Sequence, residues 1–292
     1  PEGAVLVFLP GWDDITGVID AVERHPTLSG RVLALPLHSG VPVAEQRRVF
    51  RRPPSGKRKV VCATNIAETS ITIEDVVYVI DAGKRKEKSY DPTRDMECLL
   101  PAWVSQASAR QRAGRAGRVQ PGLCYHLFPS PMMRRLPAFD TPELLRTPLE
   151  QLCLQILKLG LSRPGAGGAA EFLALAPDPP PRQGLANALR LLVRMGAMTP
   201  DEQLTPLGRL LATLPLNPRL GKALVVAAVL GCLEDVLTIV ACLSHRNPFV
   251  MPLGKEREAD AAKARFAEPE CSDHYALLQA YNAYNATPGH LR

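Results

Sequence analysis

The stretch Gln111-Arg-Ala-Gly-Arg-Ala-Gly-Arg118 holds the side chains best suited to chemistry. Three arginines and a glutamine are spaced by small residues. Glycine lets a backbone come close to a partner. Arginine offers a planar fork of donors to phosphate oxygens and keeps its charge. On a helix, Gln111, Arg115 and Arg118 fall at i, i+4 and i+7, so the spacing predicts that they share one face. Such a face suits a charged, oxygen-rich ligand such as a nucleotide γ-phosphate. The competing reading is a solvated basic face. A second stretch, Ala63-Thr-Asn-Ile-Ala-Glu-Thr-Ser-Ile-Thr-Ile73, opens on Thr64 and Asn65. These supply side-chain donors and can cap a helix. Alone it reads either as a capped strand–helix junction or as a phosphate-contacting loop.

The elements that must position these stretches follow from apolar periodicity. Ala4–Leu9 is a short β-rich run, followed by a Pro10–Asp14 loop and by Ile15, Val18, Ile19 and Val22 at helical spacing. Arg31–Pro36, Lys59–Ala63 and Val76–Ile80 read as further strands, and Val43–Phe50 as a helix. Apolar strands alternating with helices predict a parallel sheet covered on both faces, with ligands at the carboxyl ends of the strands. Lys84–Tyr90 and Met96–Leu100 flank a Pro/Asp turn, which is a hairpin signal. Arg47, Arg48, Arg51, Arg52, Lys57, Arg58 and Lys59 form a basic cluster around Phe50, and most are expected to be solvated.

The second half reads as helical. Leu145–Gly160 is amphipathic with Gly160 as its stop. Pro164–Gly168 and Pro177–Pro181 are loops. Leu185–Met195 ends at Gly196, and Thr205 with Pro206 starts another helix. From Pro218, Leu220–Cys232 and Val236–Leu243 predict a buried helix pair. Asp273–Tyr284 is a last helix, with His274 expected to cap it or sit at the core edge rather than bind metal.

The 292 residues allow one large domain or two to three smaller ones. A net charge of +6 permits a polyanionic partner without demanding one. Seven scattered cysteines, with no CxxC pair, read as buried reduced thiols in a reducing compartment. There is no signal peptide, no membrane-spanning run, no internal repeat and no metal-ligand spacing. The chain opens at Pro1 without Met, which reads as a piece of something longer.

The string Gln111–Arg118 resembles motif VI of superfamily 2 helicases in the spelling of the DEAH/RHA group of RNA helicases. Ala63–Ile73 resembles motif V of the same group, and Asp273–Tyr284 resembles the SDHxxLLxAY helix of its ratchet-like domain. Gly11-Trp-Asp-Asp14 is nearer the RHA-like branch than the splicing branch. The resemblance implies an α/β RecA-like parallel sheet domain followed by a mostly α winged-helix and helical-bundle region. Their expected bounds are 1–143 for the second RecA-like domain, 144–212 for the winged helix and 213–292 for the ratchet-like bundle.

By the same resemblance the parent is an ATP-dependent RNA helicase that translocates 3′ to 5′. ATP sits with Mg²⁺ between two RecA-like domains, Arg115 and Arg118 act as arginine fingers, and Gln111 orients the water or γ-phosphate. Phe50 stacks on adenine, and Glu74 stands where an acidic residue, usually Asp, meets the ribose. Thr64 and Asn65 hold the backbone of single-stranded RNA, and the hairpin is the wedge beside which strands part. Arg112 bridges either to the other RecA-like domain or to an acidic neighbour. The chain contains no GxxxxGK[ST] loop and no DEAH box, so Mg²⁺ ligands belong to a missing first RecA-like domain, and this piece alone is expected to be inactive. Family members work within the cell, in cytoplasm or nucleus, and some handle DNA or G-quadruplexes. The rival readings are a catalytically inactive nucleic-acid-binding or scaffold module and a DNA-directed helicase. A P-loop and DEAH box upstream of Pro1 would decide for the enzyme.

Overall fold

The computed structural model describes residues 2–69, 71–91, 93, 94, 96–161, 168–245, 247–249 and 256–288. The chain forms two compact units, Pro1–Thr147 and Pro148–Arg292.

The first unit is built on five parallel strands: β1 (Ala4–Phe8), β2 (Val32–Leu37), β3 (Arg58–Ala63), β4 (Val76–Asp81) and β7 (Leu123–His126), in the spatial order β2-β3-β1-β4-β7. Alternate side chains of β1 point to opposite faces, as the pleat requires. Leu6 and Phe8 join Leu35, Leu37, Val61 and Ala63 on one face, beneath α3 (Ile66–Thr69) and α4 (Gln106–Ala113). Val7 and Leu9 join Ile15, Val18 and Ile19 of α1 (Trp12–Arg24) on the other. Burial on both faces explains why these strands read as nearly continuous apolar runs. Each fully buried Phe or Ile here contributes about 1.5–3 kcal/mol.

The expected Val43–Phe50 helix is shorter than its apolar spacing suggests. Four residues, α2 (Val43–Gln46), tighten into a 3₁₀ turn, Arg47–Phe50. The hairpin is as expected: β5 (Lys84–Asp91) pairs antiparallel with β6 (Met96–Trp103). It starts at Gly83, whose φ of +72° and close approach to the Phe128 ring leave no room for a side chain. A short helix α5 (Ser130–Arg135) completes the unit.

The second unit is helical: α6 (Glu150–Lys158), α7 (Gly168–Ala174), α8 (Arg182–Arg194), α9 (Pro206–Leu211), α10 (Pro218–Leu230), α11 (Leu233–Ser244), α12 (Glu256–Ala267) and α13 (Asp273–Ala286). Gly160 and Gly196 stop α6 and α8 with φ of +64° and +73°. Thr205 caps α9, its Oγ accepting from Gly208 N at 3.0 Å, and Pro206 takes the first turn. An isolated bridge, Met198 to Leu204, forms the strand-like turn between α8 and α9. The amides of Gln151 and Gln155 tie α6 to the backbone beyond α9. The Pro164–Gly168 loop lies outside the described residues except for Gly168, which opens α7.

Three expectations need correction. The pair α10 and α11 is not buried: Val229 and Leu230 are 82% and 72% exposed. Apolar density along a chain does not say on how many sides a helix finds a partner. The N-cap of α13 is Ser272, and His274 is exposed. All seven cysteines are free thiols, but only Cys62 and Cys153 are buried, where burial pushes each thiol up to about 12. Among the described residues no helix is long and apolar enough to cross a membrane.

Candidate ATP and RNA site

Helix α4 ends where its composition loses its grip on the helix. Ser105 caps its start, accepting from Ser108 N at 3.0 Å. Its last residue is Ala113, and Gly114 follows as the C-cap. Beyond it the backbone tightens into turns, Arg115 N to Arg112 O and Ala116 N to Ala113 O. Gln111, Arg115 and Arg118 therefore do not share a helical face, which corrects the expectation from spacing. Glycines at 114 and 117 make continued helix costly, and two nearby cations gain nothing from lying on one face.

The three arginines have separate fates. Arg112 is fully buried. Its Nε donates to Glu68 Oε2 at 3.0 Å and its Nη1 to Asp81 Oδ1 at 2.8 Å, and its guanidinium lies 4.8 Å from the Phe8 ring centroid. Of the two alternatives the sequence left open, the acidic neighbours hold it. Arg115 and Arg118 reach out from the turn to the segment after α3. Arg115 Nη1 donates to Ile71 O at 3.5 Å, and Arg118 Nη1 donates to Thr72 Oγ1. Burial, and then the charge of Arg118, lower the Arg115 pKa against the opposing pull of Glu68. Arg115 Nε is buried with no hydrogen-bond partner. Two like charges close enough to repel, one with an unspent donor, form a place that an anionic oxygen would relieve.

Phe50 and Glu74 are exposed, Phe50 by 53%. Sequence reasoning placed Lys59 in the solvated basic cluster, but it is 1% exposed. Its Nζ donates to Val49 O (2.6 Å) and Arg51 O (2.9 Å) and pairs with Asp75 Oδ1 at 2.8 Å. One ammonium thus grips both neighbours of Phe50 and the residue after Glu74. The segment Ile71–Asp75 is the common thread: Arg115 and Arg118 meet its start, and Lys59 fixes its end. The Gln111 side chain is exposed and makes no hydrogen bond with a described residue, so it is not brought into this group.

Thr64 and Asn65 lie elsewhere, at the carboxyl end of β3. With Gly11 and Trp12 after β1, His38 and Ser39 after β2, and Arg85–Lys88 of the hairpin, they line a cleft of about 570 Å³ that Arg146 also borders. Thr64 is buried and Asn65 exposed. The hairpin side of this cleft is tied to α4. Arg85 Nη1 donates to Asp140 Oδ2 at 2.5 Å and Nη2 to Glu87 Oε1 at 2.8 Å. Burial raises the Asp140 pKa, but bonds from Arg85, Ser105 and Ser108 with the Arg85 charge outweigh it, and the carboxyl sits below its ordinary range. Sequence reasoning missed Glu68, Asp81, Ser108, Asp140 and Lys59. The one usable signal was the i, i+4 spacing of Ser108 and Arg112, which puts both on one face of α4. Among the described residues no group of three His, Cys, Asp or Glu could hold a metal ion.

Comparison with known families agrees with this geometry. Residues 1–120 match a model described as a helicase conserved C-terminal domain. Residues 188–216 match the winged-helix part and 217–277 the ratchet-like part of the helicase associated domain HA2. The chain is 51% identical over 284 residues to the DExH-box ATP-dependent RNA helicase DExH1 of Arabidopsis thaliana, covering 97% of this chain and 28% of that protein. It is 48% identical over 284 residues to the ATP-dependent DNA/RNA helicase DHX36 of Homo sapiens, with the same coverage. Over 295 residues it is 45% identical to DExH6 of Arabidopsis thaliana, covering 99% of this chain and 22% of that protein. The chain thus spans roughly a quarter of the length of these relatives.

Proposed function

Since the chain belongs to the DEAH/RHA-type helicases of superfamily 2, as the C-terminal region of their helicase core, we propose that it supplies one half of an ATP site and one wall of an RNA track. In this reading the whole protein hydrolyses ATP to move 3′ to 5′ along RNA and part its paired structures. The observation that carries it is the Arg115–Arg118 pair, with its unspent buried donor, set on the same segment that Lys59 ties to Phe50 and Glu74. That arrangement fits a nucleotide: Phe50 is free to stack on a base, Glu74 to meet a ribose, and the two arginines to hold phosphate oxygens.

Each residue has a part in that chemistry. Arg115 and Arg118 stabilise negative charge as it grows on the transferring phosphoryl group. Gln111, exposed at the end of α4, orients the attacking water in this reading once the other half of the site closes on it. Arg112 never touches the nucleotide; it anchors the helix from which the other two emerge. Bound ATP supplies the phosphoryl group and the free energy of its transfer. The residues here do not suit Mg²⁺, and we assign its ligands to the first RecA-like domain. Thr64 and Asn65 grip the RNA backbone at the strand ends, an interaction indifferent to sequence. DNA is a further candidate substrate, since DHX36 is named a DNA/RNA helicase, and the family resemblance adds G-quadruplex structures.

The domain bounds we propose are 1–143 for the RecA-like domain, 144–212 for the winged helix and 213–292 for the ratchet-like bundle. The test uses the purified chain and the full-length protein in parallel, with ATP, Mg²⁺ and poly-U. The full-length protein turns over ATP in an RNA-stimulated manner and displaces a strand from a duplex with a 3′ overhang but not a 5′ overhang. The chain alone shows no turnover. Turnover by the chain alone at about 1 per second or faster, or an inert full-length protein, overturns the reading; inertness would favour the scaffold alternative.

A further inference from the structure

The Ser108 hydroxyl has one proton and two carboxylates waiting for it. Its Oγ lies 2.7 Å from Glu68 Oε1 and 3.1 Å from Asp140 Oδ2. A hydroxyl donates one hydrogen bond at a time, so the two bonds exclude each other. The residue is buried, and water has little access to replace the lost bond. The two acceptors are neighbours that lead to different parts of the unit. Glu68 also accepts from Arg112 and so holds the helix that leads to Arg115 and Arg118. Asp140 also accepts from Arg85, which lines the cleft with Thr64 and Asn65.

Resting on the helicase reading above, we propose that Ser108 is the positioning residue through which the RNA cleft and the nucleotide arginines sense each other. An RNA phosphate in the cleft competes with Asp140 for Arg85, because a guanidinium shared between two anions binds each less tightly. Asp140 Oδ1 is already buried without a partner, so a weakened Arg85 bond leaves this carboxylate dependent on the hydroxyls of Ser105 and Ser108. The Ser108 O–H then turns from Glu68 to Asp140. The proton stays on Ser108 throughout; only its acceptor changes. Glu68 loses a neutral donor and leans harder on Arg112, which shifts the anchor of the turn that carries Arg115 and Arg118. The same linkage runs in reverse, so nucleotide held by the arginines alters the grip on RNA.

The test measures the affinity of the full-length protein for an oligouridylate with and without a non-hydrolysable ATP analogue. Coupling between two sites of one protein commonly changes affinity by about 5–150-fold. Ser108→Ala should bring the ratio of the two affinities to within about twofold of one. Its nucleotide-free RNA affinity should stay at the wild-type value, because Glu68 keeps Arg112 and Asp140 keeps Arg85, while its melting temperature should fall by about 2–12 °C, because a buried acceptor loses its donor. Ser108→Thr retains the hydroxyl and should keep the ratio. Asp140→Asn, which weakens the second acceptor, should also uncouple the sites, and it carries the test if Ser108→Ala does not fold. A wild-type ratio in Ser108→Ala or in Asp140→Asn overturns the proposal, as does Ser108→Thr behaving like Ser108→Ala. A wild-type protein that binds neither RNA nor the analogue overturns the helicase reading itself, a result distinct from either.

Discussion

Replacing Arg112 by methionine is the sharpest test of how the arginines divide their work. The Arg112 side chain is 1% exposed, and its partners Glu68 and Asp81 are 8% and 0% exposed. The substitution keeps much of the volume over Phe8 but leaves two buried carboxylates without their cation. Breaking a buried ion pair by removing one partner costs about 3–5 kcal/mol. For a unit of this size each kcal/mol moves the melting temperature by about 2–4 °C, so the variant should melt roughly 6–20 °C lower. Arg115→Met removes a charge that Arg118 repels and a side chain with one long backbone bond. It should stay within the roughly ±0.5 kcal/mol of an ordinary surface change. Scanning calorimetry of the purified chain compares the two, and the triple variant Arg112→Met, Glu68→Gln, Asp81→Asn should recover part of the loss by removing the stranded charges. If Arg112→Met melts within about 2 °C of wild type, or Arg115→Met falls as far as it does, the division into one anchor and two ligand arginines is wrong.

In the full-length protein Arg118→Lys should lose most RNA-stimulated turnover, since an arginine finger is worth about 10³–10⁵ in rate and a point charge cannot reproduce the fork; near-normal turnover at saturating ATP and RNA would sink the assignment. Lys86→Ala and Lys88→Ala, on the hairpin side of the cleft, should each flatten the salt dependence of single-strand RNA binding by about 0.7 in log–log slope; unchanged slopes would remove the RNA from that cleft. Asp140, held below the ordinary carboxylate range in the folded state, adds stability above the unfolded carboxylate pKa and loses it as pH falls through the lower folded value. The stability gap between wild type and Asp140→Asn should therefore be widest near neutral pH and close as pH falls below about 4; a gap constant with pH in acid-unfolding curves would refute the sign.

Though it did not mark β7, α5, α7 or α12, the sequence by itself determined four of the five sheet strands and their parallel arrangement, the hairpin, most of the later helices and the caps at Thr205 and Gly160. These depend on local periodicity and on residues such as Pro and Gly whose backbone limits act wherever they stand. It also determined the family, because the strings at Ala63–Ile73 and Gln111–Arg118 are specific in order and spelling. Tertiary structure decided what each charge does. Spacing on an ideal helix grouped Gln111 with Arg115 and Arg118, yet α4 ends at Ala113 and leaves Gln111 alone. Composition put Lys59 among solvated cations, yet the fold closes two backbone carbonyls and Asp75 around it. Nothing local distinguishes Arg112 from Arg115, three residues on. One meets carboxylates brought from α3 and β4, and the other meets a carbonyl, a second cation and the charge of Glu68 without a bond to it. The worth of a charge is set by its solvation and its neighbours in space, and the bonded partners of these arginines come from residues 28 to 46 positions away in the chain.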